Sequence, residues 1–226
     1  MNILITGTSK GIGRELLKVS LNSLKYRKVF ACTSTIVPKE FENHPKLVSI
    51  MLNYMDDNPF RDLEKQIQNE KIDVLINNSG YLFQEEMRHS KMSQVRKMFE
   101  VNFFGPFQLV QKVIPNLEKC EGQIINLGSM GGFQGSSKYA GLSGYSASKA
   151  ALANLSECLA VELTSSKISV NCLALGAVRT EMLKKAFPDY SADVSPQAMA
   201  KYIMEFVSFG GKLVNGQVIP VSNSTP

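Results

Sequence analysis

The chain reads as a doubly wound α/β fold, a parallel sheet of about seven strands with helices on both faces. Three observations carry that expectation. Short apolar runs alternate with helix-like stretches from end to end. The first apolar run, Ile3-Leu4-Ile5, leads straight into the glycine-rich stretch Thr6-Gly7-Thr8-Ser9-Lys10-Gly11-Ile12-Gly13. No internal repeat, low-complexity tract or linker interrupts the 226 residues, so one domain over 1–226 is expected.

The strand expectations fall at about 2–6, 28–34, 47–52, 72–76, 123–127, 168–174 and 217–221. Helical patterns lie between them at about 11–24, 59–69, 91–117, 144–165 and 196–208. In such a sheet, ligands sit beyond the carboxyl ends of the strands, where the strand order reverses.

Composition excludes several classes. The net charge of +5 comes from scattered lysines with no dense basic block, which points to a solvated surface and no nucleic-acid partner. No apolar run is long enough to span a bilayer, so no membrane role is expected. A first strand at Asn2 leaves no room for a signal peptide, and reduced thiols in a cytoplasm are the expectation. Cys32, Cys120, Cys158 and Cys172 show no Cys-x-x-Cys spacing, and Cys32 and Cys172 read as small buried apolar residues in strands. His44 and His89 have no accompanying ligand cluster, so no metal site is expected.

The glycine stretch carries the first chemical signal. Strand, glycine turn and helix start, in that order, form a phosphate cradle: glycines permit close backbone approach, and the helix N-terminus offers unpaired N–H groups. Gly7, Ser9, Lys10, Gly11, Ile12 and Gly13 are the candidate contacts. Downstream, Tyr145 and Lys149 stand four apart and share a helix face. A Tyr-x-x-x-Lys pair arises by chance in roughly a third of chains of this length, whereas the glycine string does so in well under about 1%. Together they suggest hydride transfer with proton donation.

These residues resemble the short-chain dehydrogenase/reductase family over nearly the whole chain. Asn77-Asn78-Ser79-Gly80 follows a strand and resembles the family's Asn-Asn-Ala-Gly. Val101-Asn102-Phe103-Phe104-Gly105 resembles the segment with its catalytic Asn, and Ile124-Ile125-Asn126-Leu127-Gly128-Ser129 the strand ending in its catalytic Ser. Tyr145 and Lys149 complete the tetrad, and Val214-Asn215-Gly216-Gln217 resembles the turn into the last strand. The resemblance implies a Rossmann-type NAD(P)-binding domain in which Asn102, Ser129, Tyr145 and Lys149 are catalytic.

In that chemistry Tyr145 exchanges a proton with the substrate oxygen. A free phenol has a pKa near ~10, and an ammonium about 4 Å away at an effective dielectric near 20 favours phenolate by roughly two to three pKa units. Lys149 is that ammonium, and in the family it also bonds the nicotinamide ribose. Ser129 holds the substrate oxygen and stabilises its developing charge. Asn102 positions a water linking Lys149 to solvent; the alternative is an amide that satisfies backbone groups in a bent helix.

The departures from the family pattern are informative. Ser129 precedes Tyr145 by sixteen positions, longer than the family's usual spacing, which calls for a loop insertion. Gly131 to Ser137 can supply it as a flexible segment, with Ser136 or Ser137 as alternatives to Ser129. Leu175 stands where the family has Pro, and Asn53 where an Asp touches the adenine amine. Asn78, Gly80 and Thr180 match further cofactor-contact positions.

For the cofactor, NADP(H) is favoured over NAD(H). An NAD-selective fold places a carboxylate at the end of the second strand, and Cys32-Thr33-Ser34-Thr35 has none. Lys10 resembles the basic residue of NADP-preferring members, with a solvated turn lysine as its alternative, and the Ser34 and Thr35 hydroxyls can add hydrogen bonds. The segment from Gly176 to Pro196 corresponds to the family's substrate lid, from which an open or shallow pocket is expected. In the family the long helices at about 91–117 and 144–165 pair across a two-fold axis, so the resemblance implies a homodimer or homotetramer. The leading function is an NADP-dependent oxidoreductase for a small carbonyl or alcohol, with a 3-oxoacyl thioester as one substrate alternative. A non-catalytic NADP-binding sensor or scaffold is the rival from another class, and a longer sugar-nucleotide epimerase fits less well.

Overall fold

The computed structural model describes residues 1–223. Seven strands form one parallel sheet: β1 (Asn2–Thr6), β2 (Lys28–Thr33), β3 (Leu47–Met51), β4 (Val74–Asn77), β5 (Gln123–Ser129), β6 (Ser169–Leu175) and β7 (Val218–Val221). Their spatial order is β3-β2-β1-β4-β5-β6-β7, so the chain reverses direction across the sheet between β1 and β4. The register runs Leu4 against Phe30 and Leu75, and Ile76 against Ile125. All five residues of β1 and all four of β4 are buried, as a sheet covered on both faces requires.

Alternation along each strand divides the core in two. Ile3 and Ile5 face α1 (Gly11–Asn22) and α7 (Pro196–Ser208), where Leu16, Leu17 and Ile203 complete one layer. Leu4 faces the other way, toward α2 (Arg61–Ile67), α4 (Gly105–Glu118) and α5 (Ser143–Glu162), with Leu63, Leu109 and Leu159. Period-two side-chain direction is what sorts them.

Two elements depart from the sequence expectations. The helix expected over 91–117 is α3 (Met92–Phe99), a π-helical segment (Glu100–Phe104) and then α4. Pro106 explains the break: it has no amide hydrogen for the Asn102 carbonyl, and the Gly105 amide bonds back to the Glu100 carbonyl instead. Gly105 itself faces Tyr54, where a Cβ would lie 2.4 Å from the ring. The second departure is α6 (Glu181–Ala186), a short helix capped by Thr180, which accepts a hydrogen bond from the Leu183 amide. Six residues are too few to show a helical period.

A buried polar ladder crosses the second layer. Asn77 Nδ2 donates to Asn126 Oδ1 at 2.7 Å, Asn126 Nδ2 donates to Ser156 Oγ at 2.8 Å, and Ser156 Oγ donates to the Leu152 carbonyl at 2.8 Å. It ties β4 and β5 to the middle of α5. Asn126→Ala is therefore expected to lower unfolding free energy by about 1–3 kcal/mol, because Asn77 Nδ2 loses its buried partner. Denaturant unfolding checks this; a change within about 0.5 kcal/mol would assign the ladder no structural weight.

Candidate functional site

The site lies above the carboxyl ends of β1, β4 and β5, beside the β1/β4 reversal. A cleft of about 410 Å³ runs from the glycine turn to the segment after β6. That volume lies within the ordinary range for small-molecule sites.

At one end the glycine turn is packed too closely for side chains. Gly7 has φ +70°, and a Cβ on Gly13 would fall 2.0 Å from the Gly7 carbonyl oxygen. Asn78 fixes the turn from behind: its Nδ2 donates to the carbonyls of Thr6 and Gly7 at 2.8 and 3.1 Å. Helix α1 starts at Gly11 with no side-chain cap and no acid in its first turn, so its N-terminal amides remain available to an anion. Ser9, Lys10, Gly11 and Ile12 line this end, as do Ser34 after β2 and Asn53 after β3. These residues fit the pyrophosphate and ribose portions of a dinucleotide.

Several expected contacts are otherwise engaged. Lys10 Nζ pairs with Glu181 of α6 at 3.1 Å, both groups exposed. Asn53 Oδ1, the atom expected to reach an adenine, accepts from the Met55 amide at 3.2 Å, and its Nδ2 donates to Asp56 at 2.8 Å. Thr180 lines the cleft, but its hydroxyl caps α6. Glu181 is the residue that sequence reasoning missed here; an acid six residues beyond β6 carries no signal that it will fold back onto the glycine turn.

At the other end Ser129, Tyr145 and Lys149 converge beside Gly80. Lys149 is buried, and its Nζ donates to the Leu127 carbonyl at 2.8 Å. Burial pulls its pKa down to about 8, against a smaller upward pull from Cys172. Cys172 lies behind Gly128, where a Cβ would come within 2.6 Å of its Sγ; burial pushes the thiol up to about 11. Tyr145 is pushed upward from the ordinary phenol value by burial, while a hydrogen bond with Ser129 pulls the other way. The direction reverses the expectation that an ammonium lowers the phenol: desolvation dominates both groups and favours the neutral form of each.

Asn102 is fully buried in the π segment. It clamps Tyr81 by accepting from the Tyr81 amide at 2.8 Å and donating to the Tyr81 carbonyl at 2.9 Å, and it donates to Ser148 Oγ at 2.9 Å. Ser148 Oγ donates in turn to the Tyr145 carbonyl at 2.7 Å. The amide thus satisfies backbone groups at a helix irregularity, as the structural alternative held. Its Oδ1 also faces the spot beside Gly80: a Cβ on Gly80 would lie 3.6 Å from it and 3.7 Å from Lys149 Nζ.

The long connection between Ser129 and Tyr145 is bonded throughout. Met130–Gly132 form a 3₁₀ turn, with Ser129 Oγ accepting from the Gly131 amide at 3.1 Å. Gly132 abuts α5, where a Cβ would lie 2.6 Å from the Ala150 nitrogen. Ser136 Oγ turns inward onto the Met130 and Phe133 carbonyls, which removes it as an alternative to Ser129. Ser129 and Ser137 both line the cleft, and it is Ser129 that lowers the Tyr145 phenol against the effect of burial. At the end of β6, Leu175 pairs with Ser129 on one side and Val221 on the other.

Comparison with known proteins places the chain in a family. The profile described as short chain dehydrogenase matches residues 1–191. A short-chain dehydrogenase of Hypocrea virens is 33% identical over 189 residues, 80% of this chain and 63% of the relative. The chain thus spans under two thirds of that relative's length. A 3-oxoacyl-[acyl-carrier-protein] reductase of Salmonella typhimurium is 30% identical over 202 residues, 87% of this chain and 81% of the relative. Among solved structures, 4-hydroxyisoleucine dehydrogenase complexed with NADH has a TM-score of 0.86 at 22% identity, covering 99% of this chain and 97% of that one. ElxO with NADP bound has a TM-score of 0.83 at 23% identity, covering 97% and 96%. At those identities the structures speak to the fold, and both are Rossmann-type. The chain belongs to the short-chain dehydrogenase/reductase family and is an oxidoreductase of that class. Among the described residues no helix is long and apolar enough to cross a membrane, and no group of three or more His, Cys, Asp and Glu could hold a metal.

The lowered pKa of Lys149 has a stability consequence. A pKa depressed on folding means that the unfolded chain binds more protons between about 8 and the ordinary lysine value of 10.5. Stability therefore rises with pH through that window, and the full cost of the buried ammonium, on the order of 3 kcal/mol, is present below it. Lys149→Met is expected to gain thermal stability relative to wild type at pH 7, with the gain shrinking as pH rises from 8 to 10. A difference that stays constant with pH would contradict the depressed value.

Proposed function

We propose that the protein is an NADP-dependent reductase of a small carbonyl compound, with Tyr145 as proton donor. The observation that carries this reading is the convergence of Tyr145, Ser129 and Lys149 at one end of a cleft whose other end is an uncapped helix N-terminus. A bound nicotinamide supplies the hydride. Tyr145 delivers its phenolic proton to the substrate oxygen, and Ser129 hydrogen-bonds the same oxygen. The upward shift of Tyr145 keeps the phenol protonated at neutral pH, as a proton donor requires. Lys149 holds its place through Leu127 and presents positive charge to the phenol and a ribose. Asn102 fixes the turn of α5 that carries Tyr145, and its Oδ1 and Lys149 Nζ both approach Gly80, which suits a relay of the replacement proton. The sensor reading would want Ser129 turned away from Tyr145, and both residues instead line the same end of the cleft.

Preference for NADP rests on Ser34 and Lys10 at the cleft and on the absence of a carboxylate between Cys32 and Thr35. Glu181 competes for Lys10 and weakens that preference. We also place the protein in the cytoplasm as a homodimer or homotetramer of one-domain subunits. The exposed Phe104 and Phe107 at the start of α4, and exposed Ala147, Ala150 and Val161 on α5, support assembly through these helices.

Two measurements test this reading. NADPH oxidation with a panel of small carbonyls should proceed with the wild type and fall by roughly 10³-fold or more in Tyr145→Phe; undiminished turnover in the variant would sink the assignment. Lys10→Ala should raise KM for NADPH by about tenfold with little change for NADH, and Glu181→Gln should lower it, consistent with one charge-assisted contact to phosphate. Equal effects on both cofactors would remove Lys10 from the 2′-phosphate site.

A further inference from the structure

The substrate end of the cleft has a wall that the lid segment alone does not account for. Tyr139, from the loop between Ser129 and Tyr145, meets Phe187, at the end of α6, edge to face with ring centroids 5.3 Å apart. That is a favourable aromatic geometry. Phe187 is placed by its amide, which donates to the Leu183 carbonyl at 2.8 Å. The loop carrying Tyr139 is held at both ends. Ser136 and Lys138 bond the Phe133 carbonyl at 2.8 and 2.7 Å, and the Gly141 carbonyl accepts from the Glu85 amide at 3.0 Å. A bridge between two segments that are remote in sequence therefore spans one side of the cleft.

The chemistry beside that bridge is uniform. Leu82, Leu142, Met182 and Ala186 line the cleft together with the two rings. The charged side chains lining the cleft are Lys10, Lys149 and Glu181. Lys10 and Glu181 pair with each other at the glycine-turn end, and Lys149 is bound to the Leu127 carbonyl beneath Tyr145. Lys138, the cation on the loop itself, is folded onto the loop's own Phe133 carbonyl and Ser136 hydroxyl. An anionic group placed among these apolar side chains would lose hydration with no cation beside it, since Lys149 is held at the Tyr145 end by Leu127. Hydrocarbon would gain from burial in proportion to its area.

We propose that the substrate is a neutral, predominantly apolar ketone or aldehyde, and that Tyr139 determines its specificity. The hydrocarbon side of the substrate lies between Leu142 and the Tyr139–Phe187 pair, and the carbonyl oxygen meets Tyr145 and Ser129. The reduced nicotinamide dinucleotide gives two electrons with a hydride to the carbonyl carbon. Tyr145 gives a proton to the oxygen, and the products are an alcohol and the oxidised dinucleotide. This inference rests on the reductase reading and narrows it.

Matched pairs of carbonyls test it: 4-methylacetophenone against 4-acetylbenzoate, and octan-2-one against 7-oxooctanoate. The neutral member of each pair should have a kcat/KM higher by roughly 10–100-fold, the scale on which one unpaired group discriminates. Tyr139→Ala should raise KM for the neutral members by about tenfold with kcat and NADPH affinity retained, as for loss of uniform binding. Tyr139→Phe should behave as wild type, because the ring and not the hydroxyl makes the contact. Turnover of the carboxylates at equal or higher efficiency would overturn the inference and leave the reductase reading standing, as would an unchanged KM in Tyr139→Ala. Failure of every neutral and anionic carbonyl, with NADPH still bound, would overturn both.

Discussion

The hydrogen bond from Lys149 Nζ to the Leu127 carbonyl holds the Tyr145 end of the cleft together. It joins α5 to the end of β5 from inside the core, at a lysine only 4% exposed. Everything nearby is arranged to let that helix come close. Gly131 gives way to Ser146 and Gly132 to the α5 backbone itself, while Gly128 leaves room for Cys172 of β6 on the other side. With Lys149 anchored, Tyr145 one turn earlier is set at the cleft wall, and Ser129 at the strand end falls within hydrogen-bonding reach of it. The Asn102–Ser148 link fixes the same turn of α5 from the opposite side. The position of the phenol is thus over-determined by three elements that meet on one helix.

That closeness has an electrostatic consequence. An ammonium near a phenol favours phenolate by attraction, but desolvation is the largest influence on each group here. The phenol is pushed up and the amine down. A protein that keeps a buried lysine in this state spends stability on it, a familiar trade where a site must hold charge out of solvent. The free site is biased toward a protonated phenol beside a lysine that still carries its charge at neutral pH, the pair suited to giving a proton away.

Much of this was legible in the sequence. The seven strands were placed within a few residues because a sheet buried on both faces writes itself as apolar runs such as Ile3-Leu4-Ile5 and Val74-Leu75-Ile76. The glycine turn was legible because Gly7 and Gly13 tolerate no side chain, and Ser129, Tyr145 and Lys149 because their flanking motifs are local. The π segment was readable in principle, since Pro106 interrupts the helical run, but periodicity alone joined α3 to α4. The Lys10–Glu181 pair, the Tyr139–Phe187 bridge and the turn held by Asn53 were not legible. Each depends on how a short connection folds back across the cleft, and no period or spacing records that. The segment read as flexible, Gly131 to Ser137, is instead fixed by Gly132 against α5 and by the inward hydroxyl of Ser136, contacts that exist only once β5 and α5 are side by side.

The balance between burial and attraction at the phenol is the central claim, and it can be measured on the protein alone. Labelling tyrosine with ¹³C at Cζ and following the Tyr145 resonance with pH, assigned by its loss in Tyr145→Phe, reads the phenol directly. The account predicts that Tyr145 remains protonated beyond the ordinary phenol range near ~10 in the absence of cofactor. A midpoint two or three units below that value would show that the Lys149 charge outweighs desolvation and would contradict the account.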